Sequence, residues 1–155
     1  MRKTISFVFV LAACAAPSAA SASDASLRAA IKTSEAQTQP HAKAFSREAT
    51  RFAKTKKTVR LRAATTRLIA DVTATRTRVS REQASTAKVR RGRTQYLSAL
   101  SKLKAGLQAF NRGLKAFASG SRTQASEQMS EAQRQINAAS AQGAKAERLI
   151  GVKTS

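Results

Sequence analysis

One histidine, one cysteine and eight carboxylates are all that this 155-residue chain offers for acid–base or metal chemistry. His41 follows Pro40 and reads as a surface residue at a helix start, and no second histidine exists to complete a ligand set. Glu127 and Glu131 stand one helical turn apart, the spacing of a carboxylate pair. Arg134 lies within reach, however, so an ordinary ion pair is the expectation. Asp71 and Glu82 sit among arginines, where structural ion pairs are again expected. Serine and threonine are abundant, but none stands in a nucleophile-elbow context. No zinc-ligand spacing and no glycine-rich phosphate loop occurs. The sequence therefore predicts a non-enzyme, with no catalytic residue, no metal, no cofactor and no evident small-molecule substrate.

The chemistry that remains is positive charge. The chain carries 29 Lys and Arg, for a formal net charge of +21. Residues 41–94 hold 16 of these cations against 3 acids, whereas residues 95–155 hold 9 against 3. The densest run is Lys54, Lys56, Lys57, Arg60 and Arg62. Arg67, Arg76, Arg78, Arg81, Lys88, Arg90, Arg91 and Arg93 follow. Arg60, Arg67, Arg81 and Lys88 share one heptad position, and Arg62, Arg76 and Arg90 share another. On one long helix they would form a strip that tracks phosphates or sulfates by counterion release. These thirteen residues are the candidate polyanion-binding set.

The first 22 residues narrow the polyanion. Met1-Arg2-Lys3 is a positive start, Ile5 to Ala16 is apolar except for Ser6, and Pro17 leads into Ser18-Ala19-Ala20-Ser21-Ala22. This is the layout of an export signal cut after Ala22, with an apolar run too short to span a bilayer. Leu11-Ala12-Ala13-Cys14 also fits a lipobox, in which Cys14 would be lipidated and anchor the protein to the cell envelope. Either address, periplasmic or extracellular, favours an envelope polyanion: lipopolysaccharide, teichoic acid or anionic lipid headgroups. Sequence-independent nucleic-acid binding is the alternative. It is weakened because Phe45, Phe52, Tyr96, Phe110 and Phe117 all fall on apolar stripes, leaving none for base stacking. A third reading is a structural or partner-binding scaffold whose apolar seam joins two copies in a homodimer.

These cations need a frame. Few large apolar residues with a high net charge is the composition of disordered chains, but the apolar residues are periodic. A heptad seam runs Leu61, Thr65, Leu68, Val72, Thr75, Val79, Glu82, Thr86, Val89. It continues through Tyr96, Leu100, Leu103, Leu107, Phe110, Leu114 and Phe117. Gly120 can stop a helix in the left-handed conformation, and Ser121 with Gln124 reads as a capping box. A second seam follows: Ala125, Met129, Ala132, Ile136, Ala139, Gly143, Ala146, Ile150. Gly92, Ala99, Gly106, Gly113 and Gly120 recur every seven residues. Each glycine inside a helix costs about 1 kcal/mol relative to alanine, so the stripe calls for close approach of a neighbouring backbone.

The expectation is an all-α, antiparallel bundle of three to four long helices in residues 23–155. The map is 24–53 with a break at Pro40, 59–91, 93–119 and 121–150, with residues 93–150 forming a tight hairpin. Because the seam keeps phase past Gly92, a single helix over 59–119 is the competing arrangement. So thin a core predicts marginal stability, improved by dimerisation or by a polyanion.

Overall fold

The computed structural model describes residues 19–152, and the apolar leader with Cys14 lies outside them. The chain is an all-α bundle of four helices: α1 (Ala19–Thr55), α2 (Val59–Arg81), α3 (Ala87–Ala118) and α4 (Arg122–Ile150). Ala20-Ser21-Ala22, the expected cleavage motif, falls in the first turns of α1. Short turns at 56–58, 82–86 and 119–121 join successive helices. No helix among the described residues is long and apolar enough to cross a membrane.

The glycine stripe acts as the spacing requires. A Cβ at Gly92 would stand 2.7 Å from Ile150 Cγ1, and one at Gly106 would stand 2.8 Å from Ile136 Cγ1. The carbonyl oxygens of Ala146, Ala132 and Ala125 lie 3.2, 3.2 and 3.3 Å from the Cβ positions of Gly92, Gly106 and Gly113. Backbone therefore packs on backbone between α3 and α4, and Ala125, Ala132, Ala139 and Ala146 are buried along the facing line. This is the most extensive helix pair in the bundle. Helix α1 meets α3 differently, through Phe45 on Phe110 and Phe52 on Phe117, with ring centroids 5.7 and 5.4 Å apart. Large rings hold this pair apart where glycine lets the other close.

Several expectations are corrected. Helix α1 does not break at Pro40 but runs through it. Pro40 is exposed, so the carbonyl its missing N–H would have served can take water, and His41 Nδ1 lies 2.7 Å from Asp71 Oδ2 just beyond it. His41 is thus within a helix and paired, not at a helix start, and Asp71 meets His41 instead of an arginine. Glu82 likewise accepts from Ser26 Oγ at 2.7 Å.

The boundary between α2 and α3 is at 82–86, not at Gly92, and no single helix covers 59–119. Glu82 turns extended at ψ 139°, and Thr86 caps α3 by accepting from the Val89 N–H. Asp24 fixes this turn from across the bundle. Its carboxylate accepts from the Ser85 N–H (2.9 Å), the Ser85 hydroxyl (3.0 Å) and the Thr86 hydroxyl (3.1 Å).

The capping box at Ser121 does not form, since that side chain makes no cap bond. The turn closes through backbone: Gly120 at φ 80°, with the Ser121 N–H on Ala116 O and the Gly120 N–H on Phe117 O.

Candidate anionic-surface site

Because the chain reverses at 82–86, the thirteen cations cannot form one continuous strip. Most of them divide between the two ends of the bundle, with Arg67 and Arg76 along α2 between these ends. At the α2–α3 end, arginines serve the fold. Arg93 donates to the carbonyls of Val79 (3.2 Å) and Ser80 (2.7 Å), closing the C-terminal turn of α2. Arg90 donates to Ser85 O, and Arg78 donates to the buried Ser34 hydroxyl at 2.8 Å. Arg76, nearer the middle, donates to Ser101 Oγ at 3.2 Å. Arg81, Lys88 and Arg91 are exposed at this end, and Arg67 is exposed along α2.

The α1–α2 end is built otherwise. The run from Lys54 to Thr58 combines poor helix formers with like charges, so α1 stops at Thr55 and the chain turns through Lys56 at φ 57°. A left-handed backbone at a residue other than glycine is uncommon, and the Lys56 N–H bonds Phe52 O at 2.8 Å to close the helix. The turn creates a cleft of about 600 Å³ lined by Arg51, Thr55, Lys56, Lys57, Thr58, Val59, Arg60 and Ala118. Four of these are cations and none is an acid. Lys54, Lys56, Lys57 and Arg60 are all exposed. Thr58 makes no side-chain bond to the first turn of α2, which holds no acid either, so the positive end of that helix dipole adds to the field.

A second hollow at this end, about 320 Å³, lies between α2 and α3 and is lined by Arg62, Ile69, Gln108, Asn111, Arg112 and Lys115. Arg62 Nε and Asn111 Oδ1 are buried there without a hydrogen-bond partner among the described residues. Arg51, Arg112 and Lys115 thus join the cluster, although no spacing along the chain groups them with Lys54–Arg62. Only the fold brings the ends of α1 and α3 beside the start of α2. The available signal was position along the helices: Lys115 is in the last turn of α3, and Arg51 and Arg112 lie within two turns of the ends of α1 and α3.

Elsewhere, a cavity of about 700 Å³ lies between α1, α2 and α3, floored by Val72, Leu100 and Leu103 and rimmed by Lys32, Glu35 and Gln39. Burial, with repulsion from Glu147, raises the Glu35 carboxyl above its ordinary value, partly offset by Lys32. Burial chiefly, then Glu35 and Glu147, also raises the Tyr96 phenol. This hollow is less basic than the α1–α2 cleft, with one lysine and one glutamate in its lining. Glu131 pairs with Arg134 as expected, at 2.5 Å. Compared with protein-family models, with curated proteins and with solved structures, the chain matches none.

Proposed function

We propose that this is an exported, non-enzymatic helical protein that contacts an anionic polymer or surface of the cell envelope through the α1–α2 end of its bundle. The supporting observation is the cleft itself: Arg51, Lys56, Lys57 and Arg60 converge on one hollow with no carboxylate in its lining. Arg51 is paired with Glu48 at 3.6 Å. Lys56, Lys57 and Arg60, however, are exposed with no carboxylate beside them in the cleft, so they keep the field that attracts a polyanion. Each phosphate or sulfate they engage releases counterions. At the opposite end Arg78 and Arg93 already serve a buried hydroxyl and backbone carbonyls. The export signal supports the envelope as the address.

The test is binding of the purified chain to inorganic polyphosphate, heparin and a short DNA duplex across a salt series. The expected result is an affinity that falls steeply with salt for all three, with the slope reduced when Lys54, Lys56, Lys57 and Arg60 are replaced by Gln. No binding at low salt, or a slope untouched by the substitutions, overturns the reading. A clear preference for the duplex at matched charge would move the partner to nucleic acid.

A further inference from the structure

Among the described residues, the large apolar side chains exposed to solvent are Val59, at 76 %, and Phe117, at 40 %. Both lie at the α1–α2 end. Val59 is the first residue of α2 and lines the basic cleft between Lys57 and Arg60. Phe117 is in the last turn of α3, edge-on to Phe52 and next to Ala118 of the same cleft. A soluble, extended polyanion offers nothing to these two side chains. A lipid surface offers both halves of what is present: phosphates for the cations and an acyl boundary for valine and phenylalanine.

From this pairing we propose that the partner is a bilayer containing anionic phospholipid, on which the bundle stands end-on. Val59 and Phe117 enter the boundary between headgroups and acyl chains, while Lys56, Lys57 and Arg60 hold lipid phosphates. The inference rests on the anionic-surface reading and narrows it from any polyanion to a membrane. The geometry fits one end of a bundle seated on a surface. The turn at 56–58 is three residues long, and the left-handed Lys56 reverses the chain so that α1 and α2 both lead away from it. Charge draws the end to the surface, and the apolar pair holds it there.

The chain contains no tryptophan, so Val59→Trp reports from this position alone. Its emission is expected to shift to the blue on vesicles of phosphatidylglycerol mixed with phosphatidylcholine, and to be quenched by brominated acyl chains. Neither is expected with phosphatidylcholine alone or with polyphosphate. Val59→Ser, a change at a largely exposed site that spares the Phe52–Phe117 contact, is expected to weaken vesicle partition several-fold. Because Val59 also lines the basic cleft, the reading is the difference: the loss on vesicles should exceed any loss of polyphosphate affinity several-fold. If the chain binds polyphosphate but not the anionic vesicles, or binds vesicles with no blue shift and no effect of Val59→Ser, the bilayer proposal is overturned while the polyanion reading stands. If it binds neither vesicles nor polyphosphate, the reading beneath it fails as well.

Discussion

At the α2–α3 end of the bundle, Arg78, Arg90 and Arg93 are held by carbonyls and a buried hydroxyl. There the buried carboxylate of Asp24 ties the turn, and Leu27, Ile31, Val79 and Ile150 are almost fully enclosed. At the α1–α2 end, Lys54, Lys56, Lys57 and Arg60 stand in solvent beside an exposed valine, and paired phenylalanines do the packing. Like residue types thus do different work according to what surrounds them. A guanidinium that closes a helix end has little left for a ligand. On the acid-free turn, Lys56 likewise donates to a carbonyl, that of Ala53 at 2.8 Å, whereas Lys54, Lys57 and Arg60 keep their charge open to solvent. The contrast teaches that charge density along a sequence marks candidates, and that local hydrogen-bond demand decides which of them remain available.

The largest effect expected from this contrast is on binding. Replacing Lys54, Lys56, Lys57 and Arg60 together by Gln should weaken polyphosphate binding at low salt by about a hundredfold, about 2.7 kcal/mol, with the melting midpoint unchanged or raised. Isothermal titration and a thermal melt on the same sample check both halves. At the other end the effect should fall on stability. Asp24→Ala removes an acceptor serving three donors and should cost about 1–3 kcal/mol in chemical denaturation, with binding intact. Burial pushes the Asp24 carboxyl up, but bonds from Ser85 and Thr86 outweigh it and hold the group below its ordinary value of 3.8. Its stabilisation is therefore present above that value and is lost as pH falls below it. The parent should lose stability there, while Asp24→Ala shows less of this acid limb.

The glycines sharpen the comparison. Gly92→Ala drives a methyl to 2.7 Å from Ile150 and 2.9 Å from Leu149 Cβ, so α4 must shift, at a cost of about 1–2 kcal/mol. Gly113→Ala meets mainly the flexible Met129, at 3.1 Å. The better helix propensity of alanine should hold that change within about 0.5 kcal/mol of neutral. Equal losses at the two sites would break the distinction between a rigid and a yielding end. The smallest effect belongs to Glu35, whose carboxyl is raised by burial and by Glu147. A raised carboxyl favours the protonated folded state, so its cost appears as pH climbs through and above its ordinary range. Glu35→Gln should raise the melting midpoint slightly at pH 7 and leave it unchanged at pH 4.

The α3–α4 hairpin was legible because a seven-residue glycine period opposite a seven-residue alanine period is explained by close backbone contact. The α2–α3 turn was not. It contains neither glycine nor proline, and the apolar seam keeps phase through Glu82 and Thr86, the polar positions where it is weakest. What closes that turn is Asp24, more than sixty residues away, a contact no local pattern carries. The basic run Lys54–Arg62 was visible as a cluster, yet Arg51, Arg112 and Lys115 join it only through tertiary structure. Phe117 illustrates the converse: its heptad position assigns it to the seam, but at the last turn of α3 the seam has run past its cover, and the ring is 40 % exposed.

The most direct test of the division between the two ends is a backbone amide NMR titration of the chain with short-chain inorganic polyphosphate. Shifts confined to residues 51–62 and 112–122, with residues 78–93 unmoved, are the expected outcome. Shifts centred on 78–93, or spread evenly over every exposed lysine and arginine, would contradict the assignment of binding to the α1–α2 end.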